Sequence, residues 1–356
     1  MKKLFISLLS LVAVFALVGC NLQSGDTIKF TSLPQPVYTQ GYDEATFKQE
    51  VKIMLNTTET TLAQAEGLSD VVISGLDLET VGSHTLVIVY KSVSLTYNYQ
   101  VVSSGAVKVS TMEALKNAVA EGETVIELEA DINTTAKLDI KGLSNDLTIY
   151  GNGHAITTTV DRPINVTEVK DIKLAFYDLK VETSNKTAFY ISNHENVTLI
   201  FDNCNFAASS YCIKLSTGEG LNATIKNGSV ATGWAALECY TNHSTVNVID
   251  TTLIGVNEHS GAGNNFATVV IDGNGDYKPD QAGEWGNGST YNFDNVTITA
   301  EAKGDASQSL LSIQYNAMNN TVNFNNCDIL VEQLSNCVRY TALEGNKVTF
   351  NGEVVE

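Results

Sequence analysis

At 356 residues the chain is long enough for more than one hydrophobic core, because single domains usually hold about 100–200 residues. Only 17% of the residues are charged and 26 are glycine, and the frequent Val, Ile, Thr and Asn favour strands and turns over helices. The formal net charge of −19 argues against nucleic-acid binding, which needs clustered Lys and Arg, and against binding of anionic lipid through a basic patch.

The first 20 residues are typical of an export signal. Lys2 and Lys3 form a basic start, and residues 4–17 form an apolar run too short for a comfortable membrane span. The run ends in Leu-Val-Gly-Cys at Cys20, which resembles the lipobox of bacterial lipoproteins. The resemblance implies cleavage before Cys20, acylation of its thiol with diacylglycerol, and stable display on the outer face of the cytoplasmic membrane. An ordinary secretory signal with an incidental Cys20 is the alternative.

Residues 21–27 are predicted as a short tether, and residues 28–102 follow as a run of alternating strands. A run of about 75 residues with this alternation predicts a small β-sandwich. Two short motifs resemble the bacterial immunoglobulin-like modules of Gram-positive surface proteins. One is a Tyr-x-x-Gly near the start of this run, and the other is a Gly-Leu-Asp together with residues 81–87 near its end. The resemblance implies a spacer without a catalytic site.

A second domain is predicted for residues 106–356, after a Ser-Ser-Gly boundary at 103–105. Residues 110–121 predict one amphipathic helix, because a Ser-Thr pair can cap its start and a glycine follows its end. An apolar strand at 125–128 and a glycine-rich turn within 149–156 come next. This order resembles the start of pectin-lyase-like β-helices, and the resemblance implies that the helix plugs one end of a solenoid.

An internal repeat is the strongest signal in the chain. The repeated unit is an apolar residue, any residue, Asn or Asp, two further residues and a second apolar residue. Successive Asn or Asp positions lie 25, 24, 23, 45 and 31 residues apart, and the step of 45 fits two coils. Such units stack as coils, because each coil buries its apolar side chains against its neighbours. The predicted fold class is therefore all-β, a right-handed parallel β-helix preceded by a small immunoglobulin-like β-sandwich.

The Asn and Asp residues of the repeat are expected to stack in a column at a turn. A short polar side chain there can bond its own turn and the next coil, which lies about 4.8 Å away. We therefore predict a buried polar ladder with a structural role. Its members are Asp178, Asn203, Asn227, Asp250, Asn295 and Asn326.

A second column is predicted on the outer face of one sheet, because side chains alternate between the two faces along a strand. In pectin-lyase-like relatives a face of this kind carries the saccharide groove, so the resemblance implies that rings stack on sugars and charges bind hydroxyls or uronates. The alternative is a solvated face with an ion pair of little consequence. The column comprises Tyr190, Lys214, Glu238, Gln314 and Arg339.

A calcium site is one interpretation of the acidic loop that interrupts the repeat. Asp272, Asn274, Asp276 and Asp280 fall at positions 1, 3, 5 and 9 of an EF-hand-like loop and offer oxygen ligands. The glycine and the bidentate glutamate of such a loop are both replaced here. Asp-Gly and Asn-Gly pairs are also ordinary turn chemistry, and calcium is the one cofactor that the sequence suggests.

Five cysteines remain beyond Cys20, and an odd number cannot be fully paired within one exported chain. Their spacing does not suggest a zinc site. Two equivalent bridges, 204–212 and 327–337, are one interpretation, and buried free thiols are the other. The five are Cys204, Cys212, Cys239, Cys327 and Cys337.

The sequence assigns no catalytic residue. Arg162 and Arg339 are the arginines of the predicted β-helix, a second Arg beside Arg162 is missing for a lyase-like motif, and the Gly-His-Gly turn of the related hydrolases does not occur. We therefore predict a surface lipoprotein that binds polysaccharide or glycoprotein, rather than an enzyme. The alternatives are a cell-surface polysaccharide lyase or glycoside hydrolase, and a structural envelope protein without a small ligand.

Overall fold

The computed structural model describes residues 25–32, 34, 37–103, 105–228, 230–257, 267–273, 283–302, 309–330, 338–340 and 345–354. The chain forms two compact units, the first ending at Ser104 and the second beginning at Gly105. Among the described residues, no helix is both long and apolar enough to cross a lipid bilayer.

The described residues of the first unit form two β-sheets and two short helices around one core. Its elements are β1 Ile28–Ser32, β2 Val37–Thr39, α1 Glu44–Glu50, β3 Lys52–Leu55, β4 Thr58–Thr61, α2 Leu62–Ala65, β5 Val71–Ser74, β6 Gly82–Tyr90 and β7 Val93–Val102. One sheet has the order β1-β3-β4 and the other β2-β7-β6-β5. Phe47 and Leu62 from the helices and Leu86 from a strand are fully buried in the shared core. Sheets packed in this way form a small sandwich, and its assignment to the bacterial immunoglobulin-like modules stays a prediction.

The second unit begins with β8 (Val107–Val109) and a helix, α3 (Met112–Ala120). Thr111 caps the helix, since its side-chain oxygen accepts a hydrogen bond from the backbone N–H of Ala114. The apolar face of α3, with Leu115 fully buried, joins the core formed by the strands that follow. The helix therefore covers the start of that core.

Three parallel sheets form the rest of the second unit. Sheet 1 has eleven strands, all paired in parallel except for the last two, which form an antiparallel hairpin. Its strands are β8, β9 Val125–Leu128, β12 Leu147–Tyr150, β15 Lys173–Tyr177, β18 Thr198–Asp202, β21 Asn222–Lys226, β24 Thr245–Ile249, β27 Thr290–Asp294, β30 Thr321–Asn325, β33 Lys347–Phe350 and β34 Glu353–Val354.

Sheets 2 and 3 hold eight strands each, in parallel and in chain order. Sheet 2 comprises β10 Ile132–Thr134, β13 Ala155–Thr158, β16 Lys180–Thr183, β19 Asn205–Ala207, β22 Val230–Gly233, β25 Thr252–Asn257, β28 Thr297–Ala302 and β31 Asp328–Leu330. Sheet 3 comprises β11 Leu138–Lys141, β14 Ile164–Lys170, β17 Phe189–Glu195, β20 Tyr211–Glu219, β23 Ala235–Asn242, β26 Ala267–Asp272, β29 Ser309–Gln314 and β32 Val338–Tyr340.

This arrangement confirms the predicted parallel β-helix. Each coil adds one strand to each sheet, and equivalent apolar residues of successive coils stack inside. Phe293 and Phe324 stack at 4.8 Å between ring centroids, and Phe324 and Phe350 at 4.9 Å. Such inward stacks give a solenoid a continuous core, although each coil touches only its neighbours.

One prediction about the repeat is wrong. The 45-residue step is a single coil, because β24 pairs directly with β27, with Val248 opposite Phe293. The coil is longer because its connections between sheets are longer, and it adds one strand to each sheet like any other coil. A repeat period measures chain length, which turns can extend without adding a strand.

The predicted Asn/Asp column lies at the turn between sheet 1 and sheet 2, as expected. All six residues have a left-handed backbone with φ between 48° and 63°, which Asn and Asp tolerate better than other non-glycine residues. Side-chain amides bond the neighbouring coil, as from Asn203 to Asp178 at 3.0 Å. Asn203, Asn227 and Asn295 are exposed, however. The expectation of a buried ladder is therefore wrong, and the backbone conformation explains the residue type.

A buried ladder does exist at the turn between sheet 3 and sheet 1, where the sequence did not suggest one. In successive coils the backbone N–H of one residue donates to the side-chain oxygen of its counterpart: Ser244 to Ser289, Ser289 to Asn320, and Asn320 to Asn346, each at 3.0 Å. Ser289 and Asn320 are almost completely buried. The ladder thus satisfies backbone groups that a turn would otherwise leave unpaired.

Candidate functional site

The outer face of sheet 3 brings the predicted binding residues into one row. Strand pairing places Tyr190 opposite Lys214 and Lys214 opposite Glu238. Farther along, Glu238 is opposite Val270, Val270 opposite Ser312, and Ser312 opposite Arg339. The prediction that Tyr190, Lys214 and Glu238 are neighbours is confirmed, and the backbone of Arg339 lies in the same row.

Gln314 is not in this row, and the predicted register of its strand is wrong. The inward residues of β29 are Leu311 and Ile313, both fully buried, so Ser312 and not Gln314 is the outward residue opposite Val270. Gln314 instead lies opposite Asp272, and its Nε2 donates to Oδ2 of Asp272 at 2.7 Å. Leu310, Leu311, Ile313 and Tyr315 follow closely in the sequence, so alternation alone did not fix which residue of β29 joins the row.

Lys214 is the centre of a compact group that we call the Lys214 cluster, formed by Tyr211, Lys214, Glu238 and Tyr240. The ammonium Nζ lies 2.9 Å from Oε2 of Glu238. It also lies 4.4 Å from the ring centroid of Tyr240 and 4.9 Å from that of Tyr211. Both distances are within the range of cation–π attraction. The lysine is therefore held by a carboxylate and by two aromatic rings.

Glu238 is almost completely buried, with only 1% of its side chain exposed, although it points away from the core. The Tyr240 hydroxyl donates a hydrogen bond to its Oε1 at 2.9 Å. Burial raises the pKa of Glu238 to about 7, against the opposing effects of Lys214 and Tyr240 and with a further increase from the nearby Asp272. This carboxyl group therefore changes its charge near neutral pH.

A second cation–aromatic pair lies beside the cluster. The guanidinium carbon of Arg162 is 3.9 Å from the ring centroid of Tyr190, and the Tyr190 hydroxyl donates to Oγ of Ser216 at 3.4 Å. Arg162 precedes β14 with a left-handed backbone, φ 58°. The sequence indicated Arg162 only as a possible part of a lyase-like motif, because a sequence pattern does not show which turn residue lies over an aromatic ring of the next coil.

Accessibility falls along the row. The Arg162 side chain is 41% exposed and that of Lys214 17%, and Tyr190 is partly exposed. Val270 and Ser312 have at most 2% of their surface exposed. A ligand can therefore reach the end of the face at β14 to β20, where Arg162, Tyr190, Tyr211 and Lys214 meet, but not the Glu238 carboxyl group directly.

Asp272 is the one predicted calcium ligand among the described residues. It is buried, and Gln314 donates to its carboxylate. Asn274, Asp276 and Asp280 lie outside the described residues. Within the described part of the chain, no group of three His, Cys, Asp or Glu side chains could hold a metal ion. The calcium site stays a prediction.

The cysteines argue against the predicted bridges. Cys204, Cys212, Cys239 and Cys327 form no disulfide bond with one another, so the bridge 204–212 is wrong. Cys204 lies in the turn before β19, and its thiol donates to the backbone oxygen of Phe176 at 3.2 Å, whereas Cys212 lies in sheet 3. Burial raises the pKa of Cys212 to about 12, as for inert core thiols. Cys337, the partner in the second predicted bridge, lies outside the described residues.

Comparison with known proteins agrees with this architecture for part of the chain. Residues 106–213 match the family described as "Putative pectate lyase-like adhesive domain". The match runs from the start of the second unit into β20, and so includes Arg162 and Tyr190. No curated protein and no solved structure matches the chain. The family match and the stacked parallel sheets together support a β-helix of the pectate lyase-like kind.

Proposed function

We propose that this chain is a surface-displayed adhesion protein whose β-helix binds polysaccharide or glycoprotein through the outer face of sheet 3. The observation that carries the proposal is the accessible group of Arg162, Tyr190, Tyr211 and Lys214 at one end of that face. The match of residues 106–213 to an adhesive-domain family supports adhesion as the general role.

The chemistry of this group suits a carbohydrate. Tyrosine rings offer flat apolar surfaces with a polar tip, against which the C–H faces of sugars can pack. Arg162 and Lys214 carry donors for hydroxyl groups and for the acidic groups of charged sugars. Because both cations already rest on aromatic rings, little side-chain entropy remains to be lost when a ligand binds.

The experiment is a glycan array probed with the 21–356 fragment, which retains both compact units. Arg162→Ala and Lys214→Ala are expected to lose the glycan signal, while Lys173→Ala, an exposed lysine on the outer face of sheet 1, keeps it. Equal signals from all variants would exclude this face. No signal from any protein would favour the structural envelope protein over the adhesion protein.

An enzyme is the second candidate, because a carboxyl group with a pKa of about 7 lies beside an amine at 2.9 Å. Groups that titrate near neutral pH suit acid–base catalysis. The burial of Glu238 and its engagement by Tyr240 argue for a structural carboxyl group instead. New reducing ends or unsaturated uronates released from polysaccharides by the wild-type fragment, but not by Glu238→Gln, would establish catalysis.

Display at the surface follows from the lipobox-like sequence that ends at Cys20. In this proposal a diacylglycerol on Cys20 holds the chain at the outer face of the cytoplasmic membrane. Cys20→Ser is expected to release the protein into the medium or to leave the signal uncleaved. A Cys20→Ser protein that still partitions into detergent as a mature lipoprotein would contradict the anchor.

A further inference from the structure

Two residues that flank strands of sheet 3 hold a backbone conformation that does not suit them. Arg162, before β14, has φ 58°, and Tyr315, after β29, has φ 48°. Most non-glycine residues of the second unit with a left-handed backbone are Asn or Asp, and the other two exceptions are Glu168 and His243. A bulky side chain is strained in this conformation. Strained residues collect at functional sites, so Arg162 and Tyr315 are candidates for contact with a ligand.

The turn that carries Tyr315 is fixed by close packing against two glycines. The backbone N–H of Gly273 donates to the carbonyl oxygen of Gln314 at 3.0 Å, and that of Gly283 donates to the carbonyl oxygen of Asn316 at 2.8 Å. A side chain at either glycine would collide with the carbonyl group of Tyr315. The backbone of the turn is therefore held from one side, while Tyr315 remains 43% exposed.

Aromatic rings occupy the outer face of sheet 3 in the coils between these two residues. The ring of Tyr211 packs against Ala235 and Ala267, the small and fully buried residues of the next two strands. It also meets Trp234 edge to face, with 6.5 Å between ring centroids, and its hydroxyl group lies near the side chain of Tyr315. Tyr211 and Trp234 are both partly exposed. We call Tyr211, Trp234 and Tyr315 the aromatic strip.

The charges on this face change sign along the solenoid. Arg162 and Lys214 supply cations at the end formed by β14 to β20. Glu238 and Asp272, from β23 and β26, place two carboxyl groups close to the Tyr211 hydroxyl in the aromatic strip. An acidic sugar is therefore favoured beside the cations and disfavoured at the strip. An uncharged sugar suits the strip, because its C–H face can pack on the flat rings.

The two strained residues are far apart along the solenoid. Strands β14 and β29 are separated by five coil steps, so Arg162 and Tyr315 lie roughly 24 Å apart along the axis. One terminal sugar cannot reach both residues, whereas a chain of several sugars can.

We propose that the aromatic strip is a second subsite for uncharged sugars, so that the ligand is a polysaccharide of mixed acidic and uncharged sugars that lies along the solenoid axis. This inference rests on the proposed function, because it names the class of ligand for the same face. Acidic sugars bind at Arg162 and Lys214, and uncharged sugars of the same chain bind at Tyr211, Trp234 and Tyr315.

The test uses hyaluronan oligosaccharides, in which a uronate alternates with an uncharged sugar. Calorimetry in buffer without divalent cations compares a tetrasaccharide with a decasaccharide on the 21–356 fragment. Only the decasaccharide can extend from Arg162 to Tyr315, so its affinity should be higher by about tenfold, as for added ring contacts. An alginate decasaccharide, in which every sugar is a uronate, should bind more weakly than the hyaluronan decasaccharide, because carboxyl groups border the strip.

Tyr315→Asn is the decisive variant, because asparagine suits the left-handed backbone but has no ring. It should melt at or above the wild-type temperature and bind the decasaccharide about three- to tenfold more weakly, with no change for the tetrasaccharide. Trp234→Ala should weaken decasaccharide binding in the same way, whereas Tyr315→Phe, which keeps the ring, should bind like the wild type. His243→Asn, the same kind of change at an exposed left-handed residue outside the strip, is the matched control and should not alter binding.

Three results would overturn the inference: wild-type affinity of Tyr315→Asn for the decasaccharide, equal affinity of the wild type for both lengths, or no binding of hyaluronan at all. In each case the proposed function stands if the glycan-array signal depends on Arg162 and Lys214. The proposed function itself fails if the array gives no signal that depends on these two residues.

Discussion

Sheet 1 and sheet 3 are made by the same coils, yet they differ in regularity. The six strands from β15 to β30 in sheet 1 are all five residues long and pair without a register shift. Strands of sheet 3 vary from three to nine residues, and the pairing of β20 with β23 shifts between Leu215 and Gly218. The same solenoid thus has one uniform face and one varied face.

The side chains on the outer faces of sheet 1 and sheet 3 differ in the same way. On sheet 1 like residues meet: Asn292 donates to Asn247 at 2.9 Å, and Asn323 donates to Asn292 at 2.9 Å. On sheet 3 unlike residues meet, as in the row of Tyr190, Lys214 and Glu238. A repeated residue stabilises the stack through identical contacts, whereas a varied row can combine an aromatic ring, a cation and an acid in one place.

The largest expected effect concerns the junction where sheet 3 passes into sheet 1. Asn320→Leu should lower the free energy of unfolding by about 4 kcal/mol, because Ser289 N–H and the Gly286 carbonyl each lose a buried partner. Urea denaturation of the 21–356 fragment measures this. Asn222→Leu, at an exposed position of sheet 1, is the control and should change stability by less than about 0.5 kcal/mol. Similar losses for both variants would show that the turn ladder contributes little.

The next effect concerns the varied face and depends on pH. The folded pKa of Glu238, about 7, lies above the ordinary value of 4.5, so the fold favours the protonated form. Its stabilising contribution is complete below pH 4.5 and is lost as the pH rises through 7. Relative to Glu238→Gln, the wild type should lose on the order of 3 kcal/mol over this range. Denaturation curves of both proteins at pH 4.5 and 8 measure it, and a constant difference between them would rule out a raised pKa.

A smaller effect is expected on the uniform face. Asn292→Val removes two amide hydrogen bonds, with Asn247 and Asn323, and should lower the free energy of unfolding by about 2 kcal/mol. Glycan binding should not change, because the residue lies on sheet 1. Thr290→Val on the same strand is the matched control, with an expected change below about 0.5 kcal/mol. Loss of glycan binding in Asn292→Val would contradict the division of roles between the two sheets.

The smallest effect tests the turn from sheet 1 to sheet 2. Asn227 has φ 63° and is exposed, and its amide donates to Asp202 at 2.7 Å. Asn227→Leu and Asn227→Gly both lose this hydrogen bond, but leucine also disfavours the left-handed backbone conformation. The leucine variant should therefore be less stable than the glycine variant by about 1 kcal/mol. Thermal unfolding of the two variants compares them directly. If they have equal melting temperatures, backbone conformation is not the reason for Asn at this turn.

The sequence determined the parts of this protein that repeat within each coil. The spacing of the Asn and Asp residues predicted the parallel β-helix and the turn at which they lie, because each coil carries its own apolar positions and its own left-handed turn residue. The alternation of inward and outward side chains along β17, β20 and β23 was also enough to predict that Tyr190, Lys214 and Glu238 are neighbours. These are local properties, and a local pattern encodes them.

Only the tertiary structure decided the properties that depend on several coils at once. Whether an outward residue is buried depends on what covers it, so the burial of Glu238 and the rise in its pKa could not be derived from alternation. The position of Arg162 over Tyr190 and the ladder through Ser289 and Asn320 join turns or strands of different coils. The sequence pattern specifies which face of its own strand a residue occupies, but the contacts across coils are set by the stacking register and by the paths of the turns.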